Sequence, residues 1–360
     1  MLRTNPSTLA RTAGTLVAAL VSGTVLTSPS LADVVRDDLA VVSEPDIELF
    51  VRRVTDTDAS EDRGPVLLLH GARVGGLGSF DIDVENLSLA EALAAEGHTV
   101  YVADLRGYGR SSFPPAMDGG RFASPPAVPT SEAVVDVKAV LDEIERRHPD
   151  TPIGALGWAT GSHWLAATEA AHPGTIDRLV VYNAVYGGEG EWGLTENFAV
   201  PGEPATFDYE KFGAYRTSDA ESLTGGWTDA PGVTQAVTDR YVELAMEGDP
   251  TASTRDPASF RHPSGPIADT LRAVNDAPLY DAGTIRSNVL LLRSGKDFWS
   301  RPVDYATMET DLTGAGSVTR QELPGASHYV HLEPGNGRDG FLTVLTDFLA
   351  DGTLNATNGQ

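Results

Sequence analysis

One stretch constrains this chain more than any other. Pro152-Ile153-Gly154-Ala155-Leu156 is a short apolar run that reads as a buried strand, and the segment from His163 to Ala171 reads as a helix. Between them stands Gly157-Trp158-Ala159-Thr160-Gly161, which has the Gly-x-Nuc-x-Gly shape of a nucleophile elbow, with alanine in the nucleophile position. A strand that turns sharply into a helix crowds its own backbone, so both flanks of the turn need small residues, and Gly157 and Gly161 supply them. The turn is therefore expected to form with a methyl group where a hydroxyl usually sits. Ser162 lies further into the helix and is expected to point away, so it does not replace the hydroxyl.

Strand and helix signals alternate around this turn. Residues 46–54 alternate polar and apolar and suit an edge strand in an initial hairpin. Val66 to Leu69 is a buried strand running into His70-Gly71, Leu87 to Glu96 a helix, and His98 to Ala103 a strand ending at Asp104. Ser131 to His148 is an amphipathic helix with a weak cap, and Asp177 to Tyr182 the next strand. From Gly187 to about Ala282 the pattern breaks. This stretch is rich in Gly, Pro, Asp and Thr, has short helical pieces such as Thr234 to Met246, and lacks strand signals. It is too long for a loop and reads as an inserted helical cap with few fixed contacts. The alternation then resumes with a strand at Asn288 to Leu292, a helix at Val303 to Leu312, a strand at Val318 to Leu323 and a helix at Gly340 to Leu349. The expected fold is α/β, a doubly wound, mostly parallel sheet built from 33–186 and 283–351, with 187–282 inserted as the cap and a polar tail at 352–360. Such sheets place their sites at the carboxyl ends of the strands.

The 360 residues contain 51 Asp and Glu against 26 Lys and Arg, a net charge of −25, and no cysteine. So acidic a surface repels nucleic acid and anionic membranes, and neither is expected as a partner. Without cysteine there is no disulfide, thiolate metal site or cysteine nucleophile. The first residues read as a secretory leader: Arg3 and Arg11 give positive charge, Gly14 to Leu26 is small and apolar, and Ser30-Leu31-Ala32 fits a cleavage site. This predicts a leader over 1–32 cleaved near Ala32 and an extracytoplasmic mature protein. The apolar run is too short for a membrane span, and no other candidate span stands in the sequence.

Four signatures in order resemble the α/β-hydrolase fold family over nearly all of the mature sequence. They are His70-Gly71-Ala72, the segment Asp104-Leu105-Arg106-Gly107-Tyr108-Gly109-Arg110-Ser111, the elbow, and the pair Arg293-Ser294-Gly295-Lys296-Asp297 and Gly325-Ala326-Ser327-His328. The resemblance implies the fold and a small-molecule carbonyl substrate such as an ester or lactone. Fold alone does not select a reaction, because many chemistries share it.

Acyl transfer needs a base, an acid that orients the base, and donors aimed at the developing oxyanion. His328 is the expected base, on a small-residue turn after the last strand, with His331 as competitor. Asp297 is the expected acid, with Asp304 the weaker candidate and better placed to cap a helix. Oxyanion donors are expected from the backbone N–H groups of Ala72 and Thr160. Trp158, Tyr186, Trp192, Trp299 and His331 are candidate pocket residues. His70, Asp104 and Arg106 are assigned to shaping loops, and His163 to packing. No metal and no cofactor is expected: the eight histidines are scattered, and no glycine-rich segment fits a dinucleotide or phosphate loop. Three readings of position 159 stay open. The chain is a serine hydrolase carrying alanine at 159, an enzyme in which His328 and Asp297 work on water or a substrate proton without a covalent step, or a ligand-binding protein on the same fold. Oligomeric state is left open.

Overall fold

The computed structural model describes residues 34–354 apart from 85, 226, 228–231 and 276–277. The expected leader at 1–32, its cleavage point near Ala32, and residues 355–360 of the polar tail lie outside the described residues. The strands are β1 Val34–Glu44, β2 Ile47–Asp56, β3 Pro65–Leu69, β4 Thr99–Ala103, β5 Gly154–Trp158 and β6 Arg178–Tyr182. After them come the short strands β7 Ala199–Val200, β8 Glu203–Phe207, β9 Tyr215–Ser218 and β10 Phe260–Pro263, then β11 Asn288–Ser294 and β12 Ser317–Leu323.

Eight strands form one sheet in the order β1-β2-β4-β3-β5-β6-β11-β12. The pairs β1/β2 and β2/β4 are antiparallel, and the remaining pairs are parallel. Every residue of β3 and of β5 is buried, as strands covered by helices on both faces must be. On one face Val137, Val140, Leu141 and Ile144 of the helix Thr130–Arg147 pack with Leu67, Leu69, Leu179 and Leu291. On the other, Leu345, Phe348 and Leu349 of the helix Asn336–Asp351 join Leu68, Val100, Val102 and Leu290. Each such side chain contributes roughly 1.5–3 kcal/mol when fully buried.

The strand expected at the edge lies one place inward. β1 takes the edge, with Val42 64% exposed. Its charged run hides it from a reading of hydrophobic alternation. Asp37 and Asp38 stand opposite Arg53 and Arg52 and pair with them at 2.5 and 2.7 Å, so the charges themselves set the cross-strand register.

The insertion after β6 also departs from the expectation of a purely helical cap. It carries two small antiparallel pairs, β7/β8 and β9/β10, beside the helices Gln235–Glu247 and Gly265–Asn275. Strands this short, one of them largely exposed, leave no alternation to detect. Its contacts are well fixed. Asp249 accepts from Arg261 Nε and Nη2 at 3.0 Å each and from Arg255 Nη1 at 3.0 Å, while Arg261 Nη1 donates to the Met117 carbonyl at 2.6 Å.

Buried carboxylates organise the loop after β4. Asp104 accepts from the backbone N–H groups of Gly76 and Arg110 at 2.6 and 2.9 Å, and burial pushes its carboxyl up to about 6. Arg106 forms a two-point ion pair with Asp136 at 2.8 and 2.6 Å. His70 bridges the loops after β3 and β4: Nδ1 lies 2.7 Å from the Gly71 carbonyl and Nε2 accepts from Leu105 N–H at 3.2 Å.

Burial pushes His70, His98 and His163 each down to about 4. These rings stay neutral in the fold, whereas the unfolded chain takes up protons near the ordinary value of about 6.5. Their contribution to stability is therefore complete above that value and is lost as pH falls toward 4, by about 1.4 kcal/mol per pH unit for each group. Urea midpoints at pH 7, 6 and 5 are expected to fall in turn, and to fall less steeply in a His98→Gln variant. An equal slope in that variant would show that His98 carries none of the loss.

Candidate active site

Backbone crowding builds the elbow. The Ala159 N–H donates to the Tyr182 carbonyl at 2.8 Å, and the helix Thr160–Ala171 starts at once. This forces Ala159 to φ 52° and ψ −115°, a conformation that costs a residue with a Cβ about 1–3 kcal/mol. The flanking glycines are sterically required. A Cβ on Gly157 would stand 2.2 Å from the Ser162 nitrogen, and one on Gly161 2.2 Å from the Leu69 carbonyl oxygen. Ser162 points away from the turn, as expected. Its hydroxyl donates to the Gly157 carbonyl and accepts from Tyr182 N–H at 2.9 Å, locking β5 to β6 behind the elbow.

The two residues expected to supply oxyanion donors, Ala72 and Thr160, line the same cavity as Ala159. Thr160 N–H is the first of its helix, so no carbonyl one turn back can satisfy it, and it carries the positive end of the helix dipole. In the trans peptide between Gly71 and Ala72, carbonyl and N–H point in opposite directions. With the Gly71 carbonyl held by His70, the Ala72 N–H is aimed away from that buried ring.

His328 and Asp297 come together from two loops. His328 Nδ1 lies 2.6 Å from Asp297 Oδ1. Asp297 also accepts from the N–H groups of Trp299 at 3.1 Å and Ser300 at 2.9 Å, and from the Ser300 hydroxyl. Burial works to raise the Asp297 carboxyl, but the hydrogen bonds from His328 and Ser300 outweigh it and hold the group below the ordinary carboxylate range. Asp297 is therefore ionised, and with Nδ1 engaged, His328 keeps Nε2 for chemistry. Trp158 Nε1, Tyr182 Oη and Asn183 Nδ2 all donate to the His328 carbonyl, at 3.2, 3.2 and 3.3 Å. The rings of Trp158, Phe298 and Tyr329 surround the imidazole at 5.0, 4.7 and 5.0 Å between centroids.

Ala159, Thr160, Ala72, Trp158, Trp299 and His328 line one cavity of about 440 Å³. The other candidate pocket residues are placed elsewhere. Tyr186 donates its hydroxyl to Asp311 at 2.8 Å and packs on Tyr280. Trp192 stands behind the wall, its Nε1 on the Trp299 carbonyl at 2.8 Å and its ring against Trp299. His331 is fully buried beneath Trp158, against Phe80 and Tyr182, and does not reach the cavity. In each case packing turned the ring into the core, a direction that sequence position does not carry. Asp304 caps the helix Pro302–Asp311 and accepts from the N–H groups of Tyr186 and Gly187. His163 packs on Tyr280 and lies 3.2 Å from the Thr130 hydroxyl.

Sequence reasoning missed Arg73, Arg121, Arg216, His262, Phe298 and Tyr329, all on the cavity wall. Phe298 and Tyr329 could have been found, since each follows a candidate acid or base directly. Arg216 and His262 lie in the insertion, where no motif marks them.

Strain at position 159 gives a measurable signature. Glycine adopts this conformation without a Cβ clash, and strain release outweighs the entropy that glycine adds to the unfolded chain, so Ala159→Gly is expected to stabilise the protein by roughly 1 kcal/mol. Equilibrium urea unfolding checks this; a less stable variant would mean that the backbone at 159 is relaxed.

No curated protein sequence matches the chain. Solved structures resemble it at low identity. A meta-cleavage product hydrolase from Pseudomonas fluorescens, a serine-to-alanine mutant complexed with acetates, superposes with a TM-score of 0.58 at 15% identity, covering 88% of this chain and 98% of that one. An esterase from Rhodococcus sp. gives 0.56 at 20% identity, covering 88% and 99%. The thioesterase domain of the curacin biosynthetic pathway gives 0.56 at 16%, covering 88% and 99%. These likenesses speak for the fold. The sequence itself matches the alpha/beta hydrolase fold family over residues 64–334, from β3 to the turn beyond His328, and the chain belongs to that family.

Proposed function

We propose that this protein hydrolyses a small carbonyl substrate, an ester or lactone, with His328 as general base, Asp297 as its orienting acid, and the N–H groups of Ala72 and Thr160 as the oxyanion hole. The observation that carries this reading is the 2.6 Å contact between His328 Nδ1 and an ionised Asp297, which stands behind His328 on the cavity that Ala159 and Thr160 also line. Trp158 and Trp299 are proposed to wall the substrate. In the chain as it stands the base works on water. Nε2 takes a proton as the water oxygen bonds to the carbonyl carbon, the two N–H groups hold the oxyanion, and its collapse expels the alkoxide, which takes the proton back from His328. The leader-like first 32 residues support an extracytoplasmic site of action.

One observation favours a second reading, in which the active form carries serine at 159. The backbone keeps the strained geometry that aims a nucleophile, although alanine has none to aim. Chromogenic short-chain esters at neutral pH separate the readings. Under the water mechanism the protein has slow hydrolytic activity that His328→Ala removes, and Ala159→Ser adds little. Under the serine mechanism the protein is nearly inert, and Ala159→Ser recovers several of the roughly six orders of magnitude that nucleophile and base supply as a unit. No hydrolysis by the protein, by His328→Ala or by Ala159→Ser would sink the two enzymatic readings and leave a ligand-binding protein.

A further inference from the structure

The cavity is basic in an acidic chain. The sequence holds 51 acidic residues against 26 Lys and Arg, yet Arg73, Arg121 and Arg216 line the cavity and, among the described residues, no Asp or Glu does. Elsewhere this fold leaves buried Arg338 with carbonyl acceptors, but it matches buried Arg106 with Asp136 and buried Arg261 with Asp249. Here it does not: among the described residues none of the three arginines has a carboxylate within 4.0 Å. Arg73 donates to the Ser218 hydroxyl at 3.1 Å and the Ser222 carbonyl at 2.6 Å, and Arg121 to the carbonyls of Phe212 and Lys211 at 2.9 and 2.8 Å. Arg216 Nε is shielded from solvent and has no partner. Burial, together with the like charges of Arg73 and Arg121, pulls the Arg216 guanidinium down to about 10. Arg216 is partly buried, and a shielded N–H without an acceptor costs free energy that a ligand oxygen would recover.

A second group points the same way. His262 stands opposite Arg216 in the β9/β10 pair and is 2% exposed. Its Nε2 lies 3.0 Å from the Ser218 hydroxyl, whose oxygen already accepts from Arg73. Its Nδ1 is buried on the cavity wall, where the Ala72 backbone also interacts with the ring. Burial and the adjacent arginines hold this ring well below the usual histidine value, so it stays neutral. The wall thus presents an unpartnered Arg216 Nε–H beside a neutral imidazole, with no carboxylate among the described residues to receive them.

We infer that Arg73, Arg216 and His262 form a carboxylate subsite, so that the substrate is a carbonyl compound bearing a carboxylate beside its hydrocarbon body. Arg121 adds charge at the rim of the same wall. This rests on the reading that the cavity takes a small carbonyl substrate. The planar guanidinium edge matches a carboxylate, and the rings of Phe198, Phe212 and Phe298 offer the body an apolar bed. Guanidinium groups pair with phosphate as well, so inorganic phosphate is the competing ligand that the test must separate from a carboxylate.

Titration calorimetry of the protein as it stands tests this with monomethyl glutarate, neutral dimethyl glutarate and inorganic phosphate. The monoester is expected to bind roughly 10- to 100-fold tighter than the diester, the range for charge-assisted pairs. Arg216→Gln and, separately, Arg73→Gln are expected to erase most of that difference, and cooperative thermal unfolding shows that each variant is folded. Equal affinity for the two esters, no detectable binding of the monoester, a preference that survives both substitutions, or tighter binding of phosphate would each overturn the inference. Hydrolysis of neutral p-nitrophenyl acetate by the native and Ala159→Ser proteins reports on the proposed reaction alone. A monoester preference that depends on Arg216, in a protein that cleaves no ester, would leave the subsite standing and the hydrolytic reading fallen.

Discussion

The close approach of the elbow helix to the central strands sets the terms for everything around it. Gly161 lies so near the Leu69 and His70 carbonyls that a methyl group would stand 2.2 and 2.5 Å from them. That contact brings the end of β3 beside the end of β5. It therefore puts Ala72 and Thr160 on one cavity, although they are far apart in the chain. Ala159 absorbs the resulting strain in its backbone. The burial of β3, β5 and β6 holds the turn in place, and no single side chain could do so.

Polar groups behind the site serve orientation. Three donors converge on the His328 carbonyl, and Asp297 is fixed by two backbone N–H groups as well as by the imidazole. Such second contacts hold a side chain in one geometry before any substrate arrives, which is how a preorganised site differs from a chance cluster of titratable groups. The arginines that line the cavity come from the loop after β3, the loop before the helix Thr130–Arg147, and β9. The core therefore contributes the reacting end of the cavity, and the insertion most of the wall that meets the rest of the ligand.

Much of this was legible in the sequence, for identifiable reasons. The parallel strands announce themselves because burial on both faces demands continuous apolar runs, as in Val66 to Leu69 and Asn288 to Leu292. Asp297 and His328 could be picked out because each follows a strand end at a small-residue turn. β1 escaped notice because its polar face is matched by charges on β2, and the strands of the insertion because two to five residues are too few for a period.

By itself the sequence determined the order of strands and helices, the strained turn at Ala159, the pairing partners of the site, and the missing hydroxyl at position 159. These are local properties, written in patterns of a few residues and in steric limits that any chain obeys. Only the tertiary structure decided which rings face the cavity. It turned Tyr186, Trp192 and His331 into the core and kept Trp158 and Trp299 on the wall. It also gathered Arg73, Arg121 and Arg216 into one wall without a carboxylate. Side-chain direction and charge neighbourhood depend on contacts between segments that meet only when the insertion folds back over the carboxyl ends of the strands, and no local pattern encodes that meeting.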